Sequence, residues 1–160
     1  MLIRAVEKRD HHHLWTMLKP VFRSGETYAI DPEISEQDAL SYWTGANAGC
    51  LVIEEKGERL GTYYLKTNAQ GGGAHVCNCG FITAPNSAGK GVARAMLADA
   101  LTRAKAKGYQ AMQFNFVLSN NTRAIDIWTR AGFDIVGRLP HAFKHPKDGM
   151  IDAFVMFKTL

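Results

Sequence analysis

The sequence predicts an α/β fold of the α+β kind, in which one mixed sheet carries helices on both faces. Two observations lead to this fold class. Short apolar segments with strand periodicity alternate with amphipathic helical segments, and their order along the chain is β-α-α-β-β-β-α-β-α-β-β. The 160 residues contain no repeat, proline-rich linker or change of composition, so residues 1–160 are expected to form one domain around one core.

The first third of the chain predicts one strand and two helices. Leu2–Val6 alternates as a strand, and Asp10 is a suitable N-cap for the first helix. The apolar side of that helix comprises Leu14, Met17, Leu18, Val21 and Phe22. Ser35 followed by Asp38 resembles a capping box and predicts the start of a second helix over Ala39, Leu40 and Trp43.

The middle of the chain predicts three strands. Cys50–Glu54 and Leu60–Thr67 are separated by a turn at residues 56–58 and should form an antiparallel hairpin. A glycine run at residues 71–73 is expected to be a mobile connection, and it is followed by the strand His75–Thr83, which ends before Pro85.

The second half of the chain completes the predicted fold. A helix should run from Lys90 to Lys107, with Gly108 ending it. The remaining predicted elements are the strand Ala111–Leu118, the helix Asn121–Ala131, and the strands Phe133–Leu139 and Ile151–Lys158.

Composition and charge narrow the functional classes. Hydrophobic residues make up 46% of the chain and charged residues 21%, which excludes a disordered or low-complexity protein. Residues 26–58 carry eight acids against Lys56, whereas residues 86–110 carry five bases against Asp99, so an anionic ligand would prefer the later segment. Because these bases lack interleaved aromatic residues, direct nucleic-acid binding is not expected.

The sequence also predicts the compartment. No apolar run approaches the length of a membrane span, and residues 1–14 lack the apolar core of a signal peptide. The three cysteines, Cys50, Cys77 and Cys79, are too few for a disulfide framework and are expected to be reduced and buried. We therefore predict a cytoplasmic protein with no membrane partner.

A glycine-containing loop between a strand and a basic helix is the most informative segment. Gly89-Lys90-Gly91-Val92-Ala93 would present bare backbone N–H groups, and the positive end of the helix dipole would add to their attraction for a phosphate. The pattern matches neither a Walker loop nor a complete dinucleotide fingerprint. The alternative interpretation is a strand-to-helix turn that only needs glycine for its backbone conformation.

A second motif follows one strand later, in the segment Asn121–Phe133. Its residues Asn121, Ala124, Ile127, Gly132 and Phe133 match the pattern Asn-x-x-Ala-x-x-Leu-Tyr-x-x-x-Gly-Phe, and Gly91 and Ala93 match the small positions of the pattern Gln/Arg-x-x-Gly-x-Gly/Ala. Together the two motifs resemble those of the GCN5-related N-acetyltransferase (GNAT) family.

The resemblance implies a single-domain fold with a splayed central strand pair, acetyl-CoA as cosubstrate and no metal. It implies that the cofactor contacts Phe81, Ile82, Thr83, Gly89, Lys90, Gly91, Val92, Ala93, Arg94, Asn121 and Trp128. Asn121 is the implied catalytic residue. The chain departs from the family pattern at Ala88, where Gln or Arg is usual, and at Trp128, where many members carry a tyrosine that protonates the leaving thiolate. An indole N–H is no useful acid, so that role cannot be transferred.

A narrower resemblance concerns the strands around Asn78 and Asn115. With Asn121 and Trp128, these segments are similar to acetyltransferases that act on azetidine-2-carboxylate and related proline analogues. That likeness implies that Asn78 and Asn115 bind the substrate carboxylate. From the residues alone, each amide interrupts an apolar strand and needs a partner, so a purely structural pair bonded to the backbone is the alternative.

The remaining candidate site residues are two tyrosines and several histidines, for which the sequence indicates a chemical role less strongly. Of the adjacent Tyr63 and Tyr64, one ring should face the core, and Tyr63 is predicted to contact substrate. His11-His12-His13 would project in different directions around a helix, which does not suit a metal. His141 and His145 near the last hairpin are expected on the surface.

The sequence thus predicts an N-acetyltransferase that moves an acetyl group directly to a small amine, an amino acid or an analogue of one. Attack on the thioester needs no covalent enzyme intermediate, so Cys77 and Cys79 are not predicted nucleophiles. Two alternatives stay open: a protein N-terminal or lysine acetyltransferase, and a noncatalytic acyl-CoA-binding module. Homodimer formation is also left open.

Overall fold

The computed structural model describes residues 1–45 and 48–160. The strands are β1 (Leu2–Ala5), β2 (Ala48–Glu55), β3 (Glu58–Thr67), β4 (Val76–Thr83), β5 (Ala111–Leu118), β6 (Asp134–His145) and β7 (Gly149–Thr159). The helices are α1 (His11–Ser24), α2 (Glu36–Thr44), α3 (Val92–Ala106) and α4 (Thr122–Arg130). Short 3-10 turns lie at Lys8–Asp10, Gly71–Gly73 and Pro85–Ser87.

The seven strands form one mixed sheet in the order β1-β2-β3-β4-β5-β7-β6, which confirms the predicted fold class and element order. Neighbouring strands are antiparallel except for β4 and β5. That parallel pair holds at only two positions, Val76 opposite Ala111 and Cys77 opposite Met112. Beyond them the two strands separate, so the predicted splayed pair is present.

Helices cover both faces of the sheet. On one face, α1 and α2 pack around Leu14, Phe22 and Trp43, which are at most 1% exposed. On the other face, the apolar side of α3 packs with Trp128 of α4 and Phe133. No helix in the described ranges is long and apolar enough to cross a membrane.

Several element boundaries differ from the sequence prediction. The helix predicted from Lys90 begins at Val92, because Gly91 has a left-handed φ of 77° and acts as N-cap. The strand predicted to end at Leu139 continues to His145, since β6 is an edge strand and its irregularity between Leu139 and Phe143 accommodates Pro140. The glycine run at 71–73, expected to be a mobile connection, forms a 3-10 turn.

Asp10 has a different task from the predicted side-chain cap. Its position precedes α1, yet its side chain caps no helix N–H there. The carboxylate is fully buried and accepts hydrogen bonds from Arg4 at 2.7 and 3.0 Å, from Arg59 at 3.2 Å and from the Glu7 N–H at 2.9 Å. Asp10 therefore ties β1, β3 and the start of α1 together.

His145 also differs from its predicted surface position. It is 8% exposed, and its Nδ1 accepts hydrogen bonds from the backbone N–H groups of Lys147 and Asp148, both at 3.1 Å. This arrangement shapes the turn between β6 and β7. His141 is exposed, as expected.

Candidate active site

The separation of β4 from β5 opens a cavity of about 690 Å³. One end lies at the start of α3, where Ala88, Gly89 and Gly91 line it. The other end lies beneath the loop after α1, at residues 27–30. The residues predicted to contact cofactor lie along this cavity, with the exception of Lys90.

The exposed edge of β4 supplies hydrogen-bonding groups to the cavity. The Asn68 N–H donates to the Val76 carbonyl, and the Ala84 N–H donates to the Leu60 carbonyl, so even-numbered residues of β4 direct their main-chain groups toward β3. The main-chain groups of Cys79, Phe81 and Thr83 therefore face the opening. The Phe81 carbonyl accepts a hydrogen bond from the Tyr28 hydroxyl at 3.0 Å, which joins the loop after α1 to this edge.

The glycine loop and the first turn of α3, here called the cradle, present backbone N–H groups of the kind that suit an anion. Gly89 and Gly91 have φ values of 79° and 77°, which glycine adopts without strain, and a Cβ added at Gly91 would enter open space. The N–H groups of Val92, Ala93 and Arg94 lie in the first helical turn, where no acceptor exists within the helix. The N–H of Lys90 donates to the Ser87 carbonyl at 3.3 Å instead.

Lys90 is therefore the one member of the predicted cofactor set whose position does not favour contact. Its side chain is exposed, it does not line the cavity, and its N–H is already bonded. Of the backbone N–H groups from Gly89 to Arg94 that were predicted to hold the phosphates, the Lys90 N–H is therefore not free to do so. Arg94 lines the cavity and brings a positive side chain to the cradle.

Asn121 and Trp128 lie at the two ends of α4, on the wall opposite the β4 edge. Asn121 is the N-cap of α4 and lines the cavity: its Oδ1 accepts a hydrogen bond from the Ala124 N–H at 3.2 Å, and its Nδ2 donates to no acceptor among the described residues. Trp128 is 9% exposed, and its ring centroid lies 5.3 Å from that of Phe81 and 5.0 Å from that of Phe114. It forms an apolar wall.

The Asn78 side chain crosses from β4 to β5 at the point where the two strands begin to separate. Its Nδ2 donates to the Gln113 carbonyl on β5 at 2.9 Å, one residue beyond the last paired position of β5. Its Oδ1 accepts a hydrogen bond from the Tyr64 hydroxyl at 3.4 Å. Asn78 is 7% exposed and lines the cavity, so it has the backbone partner that a structural amide needs and also borders the site.

Asn115 lies in the irregular part of β5, between Phe114 and Val117, and is exposed to the cavity. Its Oδ1 accepts a hydrogen bond from Gln113 Nε2 at 2.8 Å, and its Nδ2 donates to Asn68 Oδ1 at 2.7 Å. The amide is thus held by side chains rather than by the backbone. This placement does not require a buried partner, contrary to the expectation from its apolar strand.

Tyr63 does not line the cavity, and its predicted contact with substrate is not supported by its position. Its ring is fully buried against α3, where its hydroxyl donates to Asp99 Oδ2 at 2.5 Å. The neighbouring Tyr64 points to the opposite face and lines the cavity. Gly80 permits this, because a Cβ there would lie 2.5 Å from the Tyr64 ring. The alternation of side chains along β3 separates the two tyrosines, and only the strand register shows which face holds the site.

The ionisable groups around the cavity favour direct transfer. Burial raises the pKa of the Cys79 thiol well above its usual value and that of Cys77 to about 11, so neither is a thiolate at neutral pH. Burial also raises the pKa of the Tyr64 hydroxyl. Among the described lining residues, Asp126 is the one aspartate or glutamate, and it pairs with Arg130 at 2.9 Å. The described lining includes no histidine.

Comparison with known proteins identifies the class to which this fold and site belong. The model of the acetyltransferase (GNAT) family matches residues 11–133, and the chain belongs to that family. A GCN5-related N-acetyltransferase from Kribbella flavida is 34% identical, with a TM-score of 0.94 over 99% of this chain and 97% of that chain.

Two further relatives are informative. The N-acetyltransferase aca1 of Schizosaccharomyces pombe is 27% identical over 148 residues, which is 82% of this chain and 71% of that protein. A phosphinothricin acetyltransferase from Sinorhizobium meliloti, solved in complex with AcCoA, shares the fold at 19% identity, with a TM-score of 0.85 over 99% of this chain and 88% of that chain.

The chain is therefore an N-acetyltransferase rather than a noncatalytic module. The narrower resemblance to azetidine-2-carboxylate acetyltransferases is not confirmed by these matches and stays a prediction. No group of three or more histidine, cysteine, aspartate or glutamate side chains in the described ranges is arranged to hold a metal ion.

Proposed function

We propose that this N-acetyltransferase transfers the acetyl group of acetyl-CoA directly to the amine of a small molecule, an amino acid or an analogue of one. The observation that carries this proposal is the continuity of the site. The free N–H groups at the start of α3 and the open main-chain edge of β4 line one cavity, and polar side chains including Asn78 and Asn115 line its other end.

The cradle fits the cosubstrate. Gly91 leaves open space where a side chain would stand, and the N–H groups of the first turn of α3 suit the pyrophosphate of coenzyme A. The main-chain groups of Phe81 and Thr83 would bond the pantetheine amides, and the Phe81 carbonyl, which already accepts a hydrogen bond from the Tyr28 hydroxyl, would use its second lone pair. Acetyl-CoA supplies an activated thioester, whose carbon the acceptor nitrogen attacks while the C–S bond breaks.

The chain's own residues orient and stabilise this step. A backbone N–H from the open edge of β4, at Cys79 or Phe81, would donate to the developing oxyanion. The Nδ2 group of Asn121 would donate a further hydrogen bond near the thioester. The proton of the attacking amine passes to water, because the lining residues offer no unpaired carboxylate or imidazole. The departing thiolate needs little protonation near neutral pH, since thiols of this kind have a pKa near 8.5.

A small acceptor is favoured over a protein chain by the β6–β7 hairpin. Its tip contacts residues next to the lining of the acceptor end, by which we mean the end of the cavity beneath residues 27–30. Lys147 pairs with Glu26 at 2.7 Å, beside Thr27, and Asp148 accepts a hydrogen bond from Asn120 at 2.8 Å, beside Asn121. An extended peptide would have to pass this bridge. A protein N-terminal or lysine acetyltransferase is therefore the second candidate.

An acetyl-CoA turnover assay tests the proposal. Free thiol release would be measured with amino acids, cyclic imino acids, polyamines and peptides as acceptors. We expect the highest kcat/KM for a free amino or imino acid. A preference for peptides would replace the small-molecule assignment by the second candidate. A cytoplasmic location and a homodimer remain predictions from the sequence.

Asn121→Ser is expected to lower kcat/KM by about tenfold or more, equivalent to about 1.4 kcal/mol of transition-state stabilisation. Serine keeps an oxygen that can cap α4 but lacks the amide N–H donor, so the free energy of unfolding should change by less than about 0.5 kcal/mol. Asn121→Ala would remove the cap as well. Asn86→Ser is the matched control, because Asn86 is exposed and does not line the cavity. Full activity in a folded Asn121→Ser protein would end the catalytic assignment.

Trp128→Phe is expected to keep most of the activity, with kcat/KM lowered by less than about threefold, because the indole N–H takes no part in proton transfer. Phenylalanine would retain the contacts with Phe81 and Phe114 that form the apolar wall. Steady-state kinetics and thermal unfolding would be measured together. An inactive but folded variant would show that Trp128 has a chemical role.

A further inference from the structure

Lys66 is a cation at the acceptor end of the cavity, and it has no acidic partner among the described residues. It lies on β3 and lines the cavity, and its Cα is opposite that of Asn78 in the sheet. Its Nζ lies 4.8 Å from the centroid of the Tyr64 ring and 5.4 Å from that of Tyr42. None of the ion pairs formed by residues 1–45 and 48–160 includes Lys66.

The tyrosine rings position this ammonium group without neutralising it. An aromatic face attracts a cation through its quadrupole, yet the pair keeps its full positive charge. Every other charged side chain that lines the described cavity lies on α3 or α4: Arg94, Arg123 and Asp126. Since Asp126 is already paired with Arg130, the acceptor end presents net positive charge to its ligand.

Several amide groups lie on the same face of the sheet as Lys66. Side chains of alternate residues share a face, so Lys66 on β3 and Asn68, the residue just after β3, lie on the same face of the sheet as Asn78 on β4. Gln113, Asn115 and Asn68 form a chain of hydrogen bonds of 2.8 and 2.7 Å. In this chain the Nδ2 of Asn68 donates to no acceptor among the described residues, and the donating amides of Gln113 and Asn115 each keep a second hydrogen.

We propose that Lys66 binds a carboxylate of the acceptor and makes the enzyme select carboxylate-bearing amines over neutral or cationic ones. This inference rests on the proposed function. A carboxylate would pair with the ammonium group and accept hydrogen bonds from the neighbouring amides, which no neutral acceptor can do. A polyamine or a lysine side chain would bring a second cation against Lys66 and find no free acid in the lining, so it is rejected by repulsion.

Matched acceptor pairs test the selection. Azetidine-2-carboxylate would be compared with azetidine, and L-alanine with ethylamine, each with wild-type protein, Lys66→Gln and Lys66→Glu. We expect wild type to prefer the carboxylate member by about tenfold or more in kcat/KM. Lys66→Gln should raise KM for that member by about tenfold while kcat and the KM for acetyl-CoA stay within about twofold, and Lys66→Glu should abolish or reverse the preference.

Controls separate this inference from the proposed function. Lys105→Gln removes the same charge from an exposed site outside the cavity and should leave the preference unchanged. Equal changes for both members of a pair in Lys66→Gln would overturn the role of Lys66. Absence of turnover with any acceptor would instead overturn the proposed function.

A binding measurement decides the role of Lys66 without turnover. Cyclobutanecarboxylate has the ring and the carboxylate of azetidine-2-carboxylate but no amine. In calorimetry with acetyl-CoA-saturated protein, we expect it to bind wild type about tenfold more tightly than Lys66→Gln. Equal affinity for the two proteins, or no binding to wild type, would overturn the inference.

Discussion

Gly91→Glu is expected to weaken acetyl-CoA binding by at least about 100-fold, which corresponds to about 2.8 kcal/mol. The added side chain would occupy the open space of the cradle and bring a carboxylate to the N–H groups that should hold phosphate. A left-handed φ of 77° strains any non-glycine residue by about 1–2 kcal/mol, but a carboxylate at a helix N-terminus recovers part of this through the helix dipole. The protein should therefore stay folded. Isothermal calorimetry with acetyl-CoA measures the loss.

Gly108→Glu is the matched control for this substitution. Gly108 follows the other end of α3, has a φ of 85°, has open space around its Cβ position and does not line the cavity. The same strain and the same charge there should leave cofactor affinity within about twofold. Gly91→Ala isolates the backbone strain at the cradle itself and should weaken binding far less than Gly91→Glu. Unchanged affinity in a folded Gly91→Glu protein would show that the phosphates bind elsewhere.

Asp10→Asn is expected to lower the free energy of unfolding by about 3 kcal/mol or more. Both carboxylate oxygens accept hydrogen bonds, Oδ2 from Arg4 Nη1 and the Glu7 N–H, and Oδ1 from Arg4 and Arg59. An asparagine side chain would turn an NH₂ group toward one of these sets of donors at a fully buried position and would leave Arg4 and Arg59 to share the single carboxylate of Glu54. Chemical denaturation monitored by circular dichroism gives the free energy.

The pH dependence of stability provides an independent readout. Hydrogen bonds from the Arg4 guanidinium hold the pKa of the Asp10 carboxyl well below its usual range. A depressed pKa means that the stabilisation is complete above the unfolded-state value of about 3.9 and is lost as the pH falls below it. Asp10→Asn should therefore show a shallower loss of stability below about pH 4 than wild type.

Asp126→Asn is the control for the denaturation experiment, because Asp126 forms an exposed pair with Arg130, and it should lower the free energy of unfolding by less than about 0.5 kcal/mol. A cost below about 1 kcal/mol for Asp10→Asn would contradict the proposed tie between β1, β3 and α1.

Local signals in the sequence were sufficient for the fold. The apolar periodicity of α1, the Ser35 cap of α2 and the turn between β2 and β3 each depend on neighbouring residues, and the structure confirms them. The glycine loop was also readable, since only glycine suits the two left-handed positions at 89 and 91. The predicted boundaries of β6 were less accurate, because the length of this strand depends on its pairing with β7 rather than on its own residues.

The residues at the acceptor end of the cavity could be predicted less well from the sequence. Nothing in the pair Tyr63-Tyr64 distinguishes the two rings, and the choice follows from the register that places Gly80 opposite Tyr64. Lys66 gave no sequence signal, since an exposed lysine on a strand is the ordinary interpretation. Asn78 was found as an amide in an apolar strand, but its bond to Gln113 exists only because β4 and β5 separate at that point.

The sequence by itself therefore determined the order of the elements, the fold class and the position of the glycine loop before α3, because periodicity, capping and glycine conformations act over a few neighbouring residues. The tertiary structure alone decided which face of the sheet borders the cavity near Lys66, that Asp10 is buried between Arg4 and Arg59, and that Lys66 lines the cavity without an acidic partner among the described residues. These properties depend on contacts between residues distant in the chain, such as Asp10 with Arg59 and Tyr64 with Asn78. Long-range packing sets burial and charge environment, and no local pattern encodes them.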